Sequence, residues 1–236
     1  MPINIVTCLF VLASEKNDNI RKNDIKKIKV LTDLSNHLPI MSYDGKELKK
    51  EVRENLESIT GTSTFHLEQV YTLDYEGKVN IIYLAITNES NIVKLDDNYL
   101  LVDFKVENNN LVTFGDEKIE YQTIEIEANN NIEYTREYKT NDKDLILTLA
   151  MLLIAYKRIR GNIDHTDIIF KFMGESFTLE DVRIVYELIT EKTVDKSNFR
   201  KKIVKYCEKT KNVNVKQGYR PSQRYKFKPL KGDIWV

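Results

Sequence analysis

FTLEDVRIVYELITEKTVDKSNFRKKIV, residues 177–204, is the stretch on which the reading of this chain turns. Two helix starts are marked in it. The Thr178 hydroxyl is placed to accept from an orphan amide, and Asp181, three residues on, closes a capping box. Leu179, Val182, Val185, Tyr186 and Ile189 then recur at the spacing of one buried helix face. A turn falls around Glu191 to Val194, and Asp195 caps a second helix. That helix sets a buried row, Phe199, Ile203 and Tyr206, against a polar row of Lys196, Ser197, Asn198, Arg200, Lys201 and Lys202. Lys and Arg neutralise phosphates or donate to guanine edges, and Ser or Asn near a helix start reaches bases. Downstream, Val213 to Lys216 and Arg224 to Lys228 are strand-like. They are joined by the turn-rich loop Gln217-Gly218-Tyr219-Arg220-Pro221-Ser222. The expected unit is a helix-turn-helix followed by a wing, with Tyr219, Arg220 and Arg224 added to the helix row as DNA-binding candidates.

Charge is distributed to match. From Lys192 to Lys231 there are 14 Lys and Arg against 2 acidic residues, although the whole chain carries 36 of each sign. The remainder is therefore acidic by the same margin, and the chain divides into a part suited to phosphates and a part that is not. The plainer reading of a Lys run is a solvated helix face. The cap, the helix order and the basic wing together favour nucleic acid.

These residues carry a resemblance. Phe177-Thr178-Leu179, Tyr186-Glu187, the run from Asp195 to Lys202, Arg220-Pro221 and Tyr225-Lys226-Phe227 resemble the C-terminal winged helix of the Nudix-related transcriptional regulators, a family that includes repressors of NAD metabolism. Leu67 to Leu73 and Tyr83-Leu84-Ala85 are similar to central strands of that family's N-terminal Nudix-like domain. Arg160 to Thr166 resembles its inter-domain segment. The resemblance implies a homodimer, a double-stranded DNA operator of two-fold symmetry, and repression relieved by a small-molecule effector such as ADP-ribose. Related regulators answer to sugars, and the residues leave both effectors open.

Before that module the chain is mixed. Its 42% hydrophobic and 31% charged residues fit a globular protein of two ordinary domains. Strands are expected at Ile3 to Ala13, Ile28 to Leu34, Phe65 to Leu73, Lys78 to Thr87, Tyr99 to Val106, Leu111 to Gly115, Lys118 to Ile126 and Ile132 to Tyr138. One helix, from Lys46 to Ile59, shows Leu48, Val52, Leu56 and Ile59 on one face and ends at Gly61. A long helix from Thr140 to Arg160 carries more apolar surface than one stripe holds, so it is covered either within its own chain or by a second copy. The apolar run Leu145 to Ala155 is too short to span a membrane. The N-terminus lacks a secretory pattern, and Cys8 and Cys207 form no disulfide or metal framework, so a reduced, cytoplasmic setting is expected.

Catalytic Nudix proteins hold a divalent cation with glutamates in the pattern G-x5-E-x7-R-E-U-x-E-E-x-G-U, because Mg²⁺ needs several converging hard oxygen ligands. Anchored on Gly61, that pattern meets Glu54, Asn55, Ser58 and Ile59 at its Arg and last three Glu positions, and Lys46 at its first Glu. A shifted frame keeps Arg53-Glu54 and Glu57 but sets Ser58 and Thr60 against the second Glu and the Gly. Ile40-Met41 stands where the resemblance implies Gly-Gly. Glu47, Glu51 and Glu54 keep one-face spacing, read most simply as a solvated face beside Lys50 and Arg53. His37, His66 and His165 have no zinc-like spacing. No catalytic residue, metal ligand or cofactor is assigned.

The expected fold class is α+β: a mixed-sheet Nudix-like sensing domain over residues 1–140, then a winged-helix DNA-binding domain over 141–236. Two other readings stand beside it: an active hydrolase of nucleoside diphosphate derivatives, and an adaptor whose winged helix binds protein.

Overall fold

The computed structural model describes residues 2–16, 24–128, 131–214 and 222–229. Its first strand, β1 (Ile3–Glu15), explains the rest of the sheet. A nearly continuous apolar strand must be covered on both faces. In β1, Val6, Cys8, Phe10 and Leu12 face one core, while Ile5, Leu9 and Val11 face another. β1 pairs antiparallel with β2 (Ile25–Asp33) and with the short β3 (Ile40–Ser42). On its other side it runs parallel to β5 (Lys78–Asn88), itself joined to β4 (His66–Tyr75) by a hairpin. Glu76 and Gly77 close that hairpin with φ of 50° and 72°, the left-handed pair that matches strand twist.

Helix α1 (Leu48–Thr60) seals the second core with Val52, Leu56 and Ile59. It ends at Gly61, at φ 65°, where a Cβ would meet Lys94 N and Val93 Cβ at 3.2 Å, so glycine is required twice over.

The sheet then curls. β6 (Tyr99–Glu107) pairs with β2 through Tyr99 to Asp103 and with β7 (Leu111–Phe114) through Phe104 to Glu107. β8 (Glu117–Ala128) divides likewise between β7 and β9 (Asn131–Tyr138). Each strand changes partner midway, and the described residues form a nine-stranded sheet in the order β4-β5-β1-β2-β6-β7-β8-β9 with β3 on β1.

Helix α2 (Lys143–Asn162) is capped by Asp142, which accepts from the amides of Asp144 and Leu145. Much of its broad apolar surface is covered within the chain. Leu149, Leu152, Leu153, Ala155, Tyr156 and Ile159 are buried in the first core, and Ile154 is half-buried against it. After a 3₁₀ turn over Asp167–Phe172 come α3 (Leu179–Thr190), α4 (Lys196–Ile203), β10 (Cys207–Asn214) and β11 (Ser222–Phe227). β10 starts at Cys207 rather than at Val213. Its polar sequence carries little strand signal, and it is held instead by backbone pairing of Cys207 to Phe227 and Lys209 to Tyr225.

One core runs through both halves. Phe104 packs edge-on to Phe10 (5.5 Å between centroids) and to Tyr156 (5.6 Å), and the buried Tyr156 hydroxyl donates to the Ile189 carbonyl at 2.6 Å. Phe172, Val182, Val185, Phe199 and Ile203 continue the same cluster. Polar ties cross the same boundary: Arg158 Nε donates to Glu68 at 2.9 Å, Asn88 Nδ2 to the Phe172 carbonyl at 2.8 Å, and Lys26 pairs with Asp181 at 3.7 Å. Among the described residues no helix is long and apolar enough to cross a membrane.

Candidate nucleic-acid interface

The two marked helix starts form as the residues dictate. Thr178 Oγ1 accepts from Asp181 N at 3.1 Å while Asp181 Oδ2 accepts from Thr178 N at 2.9 Å, which closes the capping box of α3. Asp195 Oδ1 accepts from Asn198 N at 2.8 Å and starts α4. Phe199, Ile203 and Tyr206 are buried, with Phe199 against Tyr186 at 5.3 Å between rings. Lys196, Ser197, Asn198, Arg200, Lys201 and Lys202 are all exposed. At about 100° per residue, Ser197 and Lys201 lie diametrically opposite Phe199, with Asn198 and Lys202 on one flank and Lys196 and Arg200 on the other.

Not every cation of that row is equally placed. Lys202 Nζ lies 3.2 Å from Asp164, whose carboxylate also accepts from the Tyr186 hydroxyl at 3.1 Å. Lys196 Nζ lies 3.5 Å from Glu180. Both lysines are well exposed, so these pairs yield readily to a phosphate. Arg224 is half-buried on β11, its Nε donating to Ser176 Oγ at 2.8 Å and its Nη2 to the Ser176 carbonyl. Tyr219 and Arg220 lie outside the described residues. Arg224→Ala is accordingly expected to lower the melting temperature, with a loss of about 1 to 3 kcal/mol for a charge-assisted pair of bonds, while the salt dependence of DNA binding stays unchanged. A calorimetric melt and a salt titration check the two halves of that statement.

A cleft of about 1030 Å³ opens beside this row, between the end of β1, the start of β2 and the starts of α3 and α4. Lys26, Lys196, Arg200 and Arg224 line it together with Asp181 and Glu180. Sequence periodicity offered no sign of it, because its two walls are far apart in the chain. Arg183 is also missing from the sequence-derived residues. It reads as one more charge on a helix, yet its side chain is only 12% exposed.

On the α1 side, the glutamates at one-face spacing do not converge. Glu54 lies 3.9 Å from Lys50, and Glu47 precedes the helix without capping it through its side chain. Glu51 is buried beside Asp44. Hydrogen bonding from Glu51 and Lys46 brings Asp44 down to about 2, and the bond with Asp44, reinforced by burial, pushes Glu51 up. Among the described residues no three His, Cys, Asp or Glu side chains gather as metal ligands would.

A Nudix-like sheet joined through α2 to a winged helix is the fold of the Nudix-related transcriptional regulators. Residues 169–227 match the NrtR DNA-binding winged helix domain, so the C-terminal module is a winged helix of that type. The structure of Shewanella oneidensis NrtR complexed with a 27mer DNA aligns at a TM-score of 0.62 and 16% identity, over 96% of this chain and 93% of that one. S. oneidensis NrtR gives 0.61 at 17% identity, over 96% and 94%. A MutT/nudix family protein from Enterococcus faecalis gives 0.64 at 17% identity, over 97% and 88%. No curated protein matches the sequence.

Proposed function

We propose that this chain is a transcriptional repressor that acts as a homodimer. Residues 141–236 would read a two-fold symmetric operator in double-stranded DNA. Residues 1–140 would sense a nucleotide-type metabolite such as ADP-ribose, in keeping with a role in NAD metabolism. The observation that carries the reading is the exposed Ser197, Asn198, Arg200 and Lys201 row on a capped helix inside an NrtR-type winged helix domain. Support for a sensor without turnover comes from α1, where Asn55, Ser58 and Ile59 stand at expected ligand positions. A fold that no longer assembles a Lewis acid and its activated water can still bind the compound it once processed.

Two measurements test this. Selection from a random duplex library should enrich an inverted repeat, bound with a steep salt dependence. ADP-ribose incubated with the protein and Mg²⁺ or Mn²⁺ should survive; turnover near the enzyme median of about 10 per second would make the chain a hydrolase instead. An effector must also bind more weakly to the DNA-bound protein by the factor with which it weakens DNA binding, an expected 5- to 150-fold or about 1 to 3 kcal/mol. Titrating ADP-ribose, NAD and a sugar panel with and without the enriched duplex reads that factor in both directions. A compound that binds yet leaves DNA affinity unchanged is not the effector.

A further inference from the structure

We propose that Arg183 is the positioning residue that sets the pose of α4 for sequence reading. The inference rests on the DNA-binding reading above. It starts from a side chain that is 12% exposed and carries a permanent charge that needs partners away from water. Arg183 holds Glu180 as a fork, Nε to Oε2 at 3.0 Å and Nη2 to Oε1 at 2.6 Å, and its remaining Nη1 reaches Glu187 Oε1 at 2.5 Å. The three residues are spaced i, i+3 and i+7 along α3, so one planar guanidinium clamps two carboxylates, one on the turn before it and one on the turn after.

Both carboxylates act across the turn. The same Glu187 Oε1 accepts the Val194 amide at 3.0 Å, and Glu180 Oε1 faces Lys196 Nζ at 3.5 Å. Val194 and Lys196 flank Asp195, whose carboxylate caps α4. The guanidinium thus fixes Glu187, Glu187 holds the Val194 amide beside the cap, and the cap fixes where α4 begins. α4 has only 8 residues, with Ser197 and Asn198 in its first turn. A small rotation at its start therefore moves the groups that would meet base edges, and such groups need placement to about 0.5 Å. Lysine offers a point charge without a fork and cannot hold both carboxylates in that plane. Phosphate contacts tolerate a rotation of this kind, since they carry no sequence information.

The wild-type full chain, Arg183→Ala and Arg183→Lys are compared on two duplexes: the sequence the wild type enriches from a random library, and a shuffled duplex of the same composition. For Arg183→Ala, affinity for the enriched duplex should fall about tenfold, in the range of one mismatched base pair, while affinity for the shuffled duplex stays within about twofold. Arg183→Lys should restore the melting temperature more fully than it restores discrimination between the duplexes. Unchanged discrimination in Arg183→Ala overturns the inference, as does an equal fall on both duplexes, which marks general loss of fold. If Arg183→Ala does not fold, Arg183→Lys carries the same comparison, and wild-type discrimination in it overturns the proposal. Failure of the wild type to enrich any sequence removes the DNA-binding reading itself, and the inference with it.

Discussion

Replacing Arg200, Lys201 and Lys202 together by alanine is expected to weaken duplex binding by about 100-fold or more near 0.15 M salt, and to flatten the dependence of affinity on salt by up to about 3 units. All three are exposed on α4, and their removal leaves Phe199 and Ile203 buried as before. Alanine is a good helix former, so α4 itself is retained. Asp164, deprived of Lys202, keeps its bond from the Tyr186 hydroxyl and does not become a stranded buried charge. The loss is therefore one of phosphate neutralisation and base contact, with folding unaffected. Single changes divide it. Asn198→Ala should cost about 1 to 3 kcal/mol and relax preference at one position, whereas Lys202→Ala should weaken all sequences alike. Fluorescence anisotropy on matched and shuffled duplexes over a salt series separates these effects. Wild-type affinity in the triple variant would exclude α4 as the reading helix.

Phe104→Ala is expected to cost about 3 to 5 kcal/mol of stability, the range for a buried aromatic truncated in a core. Phe104 is 3% exposed and stands between Phe10 on β1 and Tyr156 on α2, edge-on to both. Its removal enlarges a small cavity of about 140 Å³ already lined by Ile28, Val106, Tyr156 and Leu188. Tyr156 in turn holds the last turn of α3 through the Ile189 carbonyl, so the defect is transmitted toward the winged helix. We expect DNA binding and the far-ultraviolet dichroism of the sheet to be lost in one thermal transition, at a lower temperature than in the wild type. A sheet that melts early while DNA binding persists would show that the shared core does not couple the two halves.

Much of this arrangement was legible in the residues. Thr178 with Asp181, Asp195 before a Lys and Asn run, Gly61 after an amphipathic stretch, and Glu76-Gly77 between two alternating runs each specify local geometry through their own side chains and backbone preferences. The row Phe199, Ile203 and Tyr206 likewise announces which side of α4 is buried. Periodicity does not say whether α2 is covered by its own chain or by a second copy, because it reports that a surface must be buried and is silent about its partner. The early start of β10 is not legible in the sequence, because Glu208, Lys209 and Lys211 carry no alternating apolar signal; its pairing with β11 comes from the backbone.

By itself, then, the sequence determined the helix-turn-helix, the segregation of basic from acidic residues, and the strand succession of the first domain. All of these rest on interactions between residues a few positions apart. Only the tertiary structure decided which cations are engaged and with what. Lys202 meets Asp164 across 38 positions and Arg224 meets Ser176 across 48, while Arg158 meets Glu68 across 90. The cleft between β1, β2 and the winged helix is likewise lined by residues from Leu12 to Tyr225. Encounters between residues so far apart are set by chain packing, which local spacing does not encode.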